Sequence, residues 1–173
     1  MLTQAENEAP IRYSASRAIA PSFALALALT MTVSAFGAAP ALLSGDRSAT
    51  VTVDGRPLSA DTDHIVAFDR GKTLYVCVED LKQMVSGSMT RAGKQLTVKS
   101  FKGDSNSRTF VFTVGSMKAT AHGQAVELSA PVLDVYGHIY IPLSFFGSNA
   151  LRTHAKISAD GRAGDILLPP GME

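Results

Sequence analysis

Apolar and polar residues alternate in short runs along most of this chain, and glycine-centred pairs separate the runs. Arg108–Gly115 sets Phe110, Phe112 and Val114 against Thr109, Val111 and Thr113, the period-two pattern of a half-buried strand. Ala49–Val53 and Arg56–Ser59 flank Asp54-Gly55, a two-residue hairpin signal, because Asp and Gly tolerate a positive φ. A second extended pair is predicted from His64–Phe68 and Thr73–Val78, with its turn at Asp69-Arg70-Gly71. Ser88–Phe101 reads as another hairpin, turning at Ala92-Gly93-Lys94. Further along, Met117–Ala121 and Gln124–Ser129 flank His122-Gly123, Val132–Tyr136 and Ile139–Leu143 flank Gly137-His138, and Thr153–Ser158 and Gly164–Leu168 flank Asp160-Gly161.

Two segments break the alternation. Glu79–Val85 carries Leu81, Met84 and Val85 at helical spacing, with Glu79 and Asp80 placed to suit the positive end of a helix dipole. Pro142 precedes Ser144–Leu151, and its fixed φ and missing N–H suit a helix start. Many short strands and two short helices predict an α+β fold, mainly antiparallel sheet. Turn, glycine, tyrosine-bearing strand and helix occur twice in the same order. The chain therefore reads as two similar half-domain repeats, residues 49–101 and 108–168. Lys102–Ser107 is the polar loop between them, 38–48 a linker, and 169–173 a tail.

The N-terminus follows another pattern. Arg12 and Arg17 precede an uncharged, Ala- and Leu-rich run from Pro21 to Leu43, with small residues at Val33-Ser34-Ala35 and Ala35-Phe36-Gly37. Residues 1–37 read as a secretory signal peptide, with a retained membrane anchor as the alternative. Either places the remainder outside the cytoplasm: secreted, periplasmic or associated with the cell wall. Residues 1–35 hold Arg12, Arg17, Glu6 and Glu8, so the 16 basic and 15 acidic residues fall to 14 and 13 beyond them. So even a balance excludes a nucleic-acid footprint, which needs clustered basic charge. One cysteine, Cys77, excludes an internal disulfide.

Gly137–Phe146, GHIYIPLSFF, resembles the G-R-T-Y-V-P-L-R signature of the copper amine oxidase N-terminal-like domain, also called the stalk domain. The family's V-N-G-K hairpin has counterparts in Val53-Asp54-Gly55-Arg56 and Ala121-His122-Gly123-Gln124. The signature positions are Gly55, Gly71, Tyr75, Gly123, Gly137, Tyr140, Pro142 and Leu143, all structural in the family. In the first copy Tyr75 and Val76 match, whereas Cys77 stands where Pro is usual and Glu79 where Arg is common. The resemblance covers about residues 49–168. It implies a small exported bacterial module at the cell envelope, with no catalysis and no cofactor of its own.

The residue types that carry chemistry fit that expectation. His64, His122, His138 and His154 lie too far apart in sequence for a compact metal motif, and His122 and His138 fall in predicted turns, which argues for exposure and against convergence. Val76 and Val78 flank Cys77, so it reads as a small buried hydrophobe. Ser116 follows Gly115 but lies outside any G-x-S-x-G elbow. Asp61, Asp63 and Asp69 lack the remaining ligands of an EF-hand loop and read as solvated turn carboxylates. A non-catalytic binding module is thus the first expectation, its partner a wall polymer or an envelope protein. A small exported hydrolase using Ser or Cys77, or a metal-binding envelope protein, is the alternative. The candidate partner surface is Tyr136 with His138, because Tyr136 adjoins a tight turn and exposed aromatics anchor contacts.

Overall fold

Two-residue turns organise the chain. In the computed structural model, which describes residues 42–60, 64–103 and 108–171, Asp54-Gly55, Gly71-Lys72, His122-Gly123 and Tyr136-Gly137 all have both residues at positive φ. That is the backbone of type I′ turns, whose twist matches the strands they join. After β1 (Arg47–Ser48), the first turn joins β2 (Thr50–Val53) to β3 (Arg56–Pro57), and the second joins β4 (Ala67–Arg70) to β5 (Thr73–Cys77). A 3₁₀ helix, Val78–Met84, leads to the hairpin of β6 (Met89–Ala92) and β7 (Gln95–Val98). After β8 (Phe110–Thr113) come the hairpins of β9 (Lys118–Ala121) with β10 (Gln124–Glu127) and β11 (Leu133–Val135) with β12 (His138–Pro142). A second 3₁₀ helix, Leu143–Gly147, precedes β13 (His154–Ile157) and β14 (Ala163–Leu167).

These strands form three sheets, ordered β1-β4-β5-β12-β11, β10-β9-β8-β7-β6 and β13-β14-β2-β3. The first is antiparallel throughout, and its centre pairs β5 with β12 in the register Tyr140↔Cys77, Ile141↔Val76 and Pro142↔Tyr75. All other pairings are antiparallel except β14 with β2, where Asp165 lies beside Thr52. One core lies among the sheets: Leu74, Val76, Ile139 and Ile141 of the first meet Leu96, Phe110 and Phe112 of the second and Val51, Val53 and Ile166 of the third. Phe101, Phe145 and Phe146 fill its centre, with ring centroids 5.3 to 6.2 Å apart. Those spacings suit edge-to-face aromatic contacts.

Alternation along the strands sends the next residues to the outer face of the first sheet. There Phe68, Tyr75, Cys77, Val135 and Tyr140 form a second, smaller cluster. It is sealed by Leu42 and Ile65, and Tyr140 Oη donates 2.5 Å to the Ile65 carbonyl.

The sheets are mainly antiparallel, as the alternation predicts, and the α+β description holds only roughly. Both helical segments are 3₁₀, and the first is kinked at Leu81. Each is one or two turns long, too short to offset the cost of nucleating an α-helix. Val85, expected inside the first, is its extended C-cap, while Val78, Leu81 and Met84 supply the buried face. Pro142 is still strand, at ψ 130°, and caps the second. His64–Phe68 is strand only from Ala67, and the following turn is Gly71-Lys72, so Asp69 and Arg70 belong to β4. Asp69 is therefore no solvated turn carboxylate: it is 8 % exposed. Its Oδ1 has no partner among the described residues.

The signal or anchor at 1–37, Asp61, Asp63 and most of the 102–107 loop lie outside the described residues. Among the described residues no helix is long and apolar enough to cross a membrane.

Candidate functional site

The outer face of the first sheet gathers the residues with the most chemical potential. Cys77 ends β5, where the chain turns into the first 3₁₀ helix. The antiparallel register sets Tyr140 opposite it, and His138, two residues before Tyr140, shares that face diagonally. His64 approaches from the segment ahead of β4, held by the Tyr140 hydroxyl on Ile65 and by the Cys77 N–H donating 2.8 Å to the Val66 carbonyl. Ligating atoms of His64, Cys77 and His138 all lie within 4.8 Å of one another. The two imidazoles stack, with centroids 4.0 Å apart and planes inclined by 13°.

Two carboxylates complete the group. His64 Nε2 lies 2.7 Å from Asp80 Oδ2, with only 4 % and 3 % of the two side chains exposed. The Cys77 thiol donates to Glu79 Oε2 at 3.1 Å. Glu79 also accepts the Ile139 N–H at 3.1 Å, so its carboxylate continues the ladder where β5 ends. Burial pushes the Cys77 thiol far above its ordinary 9.0, and the negative charges of Glu79 and Asp80 push the same way. Burial also raises the Asp80 carboxyl above its ordinary range, against the pull of the His64 hydrogen bond. The cluster combines two imidazoles, one thiol and two anions in a nearly dry setting, which suits it to binding a cation.

This gathering corrects the expectation drawn from spacing. His64 and His138 converge, and His138 is a half-buried strand residue, not a turn residue. Sequence distance misled because the β5–β12 pairing joins parts of the chain more than sixty residues apart. Of the three, only Cys77, read as buried, was placed correctly. His122, exposed in the β9–β10 turn as expected, and His154, exposed at the start of β13, take no part.

A different feature stands at the tip of the β11–β12 hairpin. Tyr136 is 59 % exposed, at φ 52°. Arg91 of β6 clamps this turn: Nη2 donates 2.6 Å to Asp134 Oδ2, and Nη1 donates to the Gly137 carbonyl. Asp134 Oδ1 in turn accepts the Gly137 N–H at 2.9 Å. Tyr136 and His138, expected to act together, are separated by this geometry: the tyrosine points outward and the histidine stacks inward on His64. The other residues that carry the sequence resemblance lie in turns and in the core. Gly55, Gly71, Gly123 and Gly137 occupy left-handed turn positions, and Tyr75, Tyr140, Pro142 and Leu143 are buried. The chain matches no family model, and neither a curated protein nor a solved structure matches it.

Proposed function

We propose that this chain is a non-catalytic, extracytoplasmic binding module of the stalk-domain kind, built from two related halves, that holds a cell-wall polymer through Tyr136. The Tyr136 turn carries this reading. A bulky aromatic in the left-handed region costs about 1–3 kcal/mol, and such strained residues cluster at functional sites. Here the strained ring is exposed on a turn braced by Arg91 and Asp134. The groups that brace its turn are charged and polar, Arg91 and Asp134. An exposed ring with hydrogen-bonding groups at its edge suits a sugar face.

The single thiol is buried, with its proton directed at a carboxylate. That is the reverse of the electropositive setting that frees a thiolate nucleophile, which weighs against a Cys77 hydrolase. Two related halves are supported by the two pairs of left-handed turns, in each of which the second turn is followed by a tyrosine-bearing strand and a 3₁₀ helix. They are supported too by the exchange of hairpins, since β2-β3 joins β13-β14 while β9-β10 lies in one sheet with β6-β7.

Co-sedimentation with isolated wall polymer tests the reading. The wild-type protein is expected to pellet with the polymer, and Tyr136→Ala to bind at least tenfold more weakly with its fold intact. Equal pelleting of the two proteins rejects the site. Capture of an envelope protein in place of polymer would make the partner a protein.

A further inference from the structure

We infer that His64, Cys77 and His138 form a binding site for a thiophilic divalent cation of the zinc class. Three observations carry this, independently of the Tyr136 surface. The three side chains offer two imidazole nitrogens and one sulfur within 4.8 Å. That donor set selects zinc-like ions over calcium or magnesium, which take oxygen ligands. Asp80 sits on His64 Nε2 at 2.7 Å, the outer-sphere carboxylate that fixes the tautomer and orientation of a ligating histidine. All of this is built on paired strands, β5 and β12, and on a segment tied to both.

Bond lengths of about 2.0–2.3 Å put tetrahedral ligand atoms about 3.5 Å apart, so the widest gap must close by about 1 Å. The stacked rings must also splay so that their in-plane lone pairs meet. His138 can supply this movement, as the first residue of its strand and only half buried. On binding, the hydrated ion exchanges water for two nitrogens and the sulfur. A metal–sulfur bond forms, and the thiol proton passes to Glu79, already 3.1 Å away, and on to solvent. No electron changes hands. Three protein ligands leave a fourth position for water or a ligand atom.

Cobalt(II) is the diagnostic probe. Because Cys77 is the single cysteine, a thiolate-to-cobalt charge-transfer band identifies its sulfur without any mutation. The reduced full-length protein is expected to develop that band to one equivalent, and zinc(II) to bleach it, with calcium and magnesium leaving it unchanged. Calorimetry in buffers of different ionisation enthalpy should find about one proton released per zinc bound. Cys77→Ser and His138→Gln should each lose the band. Asp80→Asn should weaken zinc binding by about 10–100-fold, the usual loss when an outer-sphere partner is removed. His122→Gln and His154→Gln should bind as the wild type does. Absence of the band in the folded, reduced wild-type protein overturns the inference. So does a band that saturates with His138→Gln or is bleached equally by calcium.

Discussion

Tyr136 is where local preference and observed conformation disagree most. The first position of a type I′ turn favours Asn, Asp or Gly, and the equivalent position of the β2–β3 turn is Asp54, at φ 49°. Replacing the ring should therefore help the fold: Tyr136→Asn is expected to raise unfolding stability by about 1 kcal/mol in urea titrations. The same variant should lose polymer binding, a trade between stability and activity that a purely structural tyrosine would not show. A destabilised Tyr136→Asn would mean that the ring supports the fold. At this scale the sequence was readable for single residues and not for their neighbours. Gly55 and Gly123 announce their turns, and the valines around Cys77 announce its burial. Nothing near Cys77 in sequence announces His138, whose approach depends on a register fixed by two distant strands.

Strands were more legible than helices, because period-two alternation extends over a whole element. Phe110 and Phe112 are buried and Val111 and Thr113 half-buried along β8, as that alternation predicts. The helical segments misled because three apolar residues at suitable spacing fit a 3₁₀ turn as well as an α-helix. Close packing between elements makes its own demand at Gly164 in β14. A Cβ there would lie 2.7 Å from Leu74 Cδ2 and would also collide with Leu143 Cδ2. Both leucines are buried, on β5 and at the start of the second 3₁₀ helix, so neither has room to retreat. Gly164→Ala should cost about 1–3 kcal/mol or more through overpacking, read as a lower thermal midpoint with unchanged strand content. Gly123→Ala, in open space at positive φ, should cost less, about 1 kcal/mol from backbone strain alone.

For the whole molecule, alkaline pH is the weak side. Tyr75 and Tyr140, like Cys77, are raised above their ordinary values of 10.0 and 9.0, chiefly by burial. The folded chain thus holds these protons more tightly than the unfolded one. The stability they contribute is complete below about pH 9 and declines as rising pH deprotonates the unfolded chain first. Urea midpoints of metal-free protein should fall between about pH 9 and 11, and Tyr75→Phe should flatten that fall. The antiparallel sheet was legible because alternation reports it; sheet order was not, because partner choice depends on contacts across the whole chain. The parallel β14–β2 pair is the clearest case, joining the first long strand to the last. Its consequence is one of timing. β2 has only the short β3 beside it until residues 163–167 have been made, so the early part of the chain stays open during synthesis and closes in a late, long-range step. A chain stopped before Ala163 should show no cooperative unfolding transition. Under the extracytoplasmic role proposed above, that delay has a use, since a chain still open is one that a narrow secretion channel can pass.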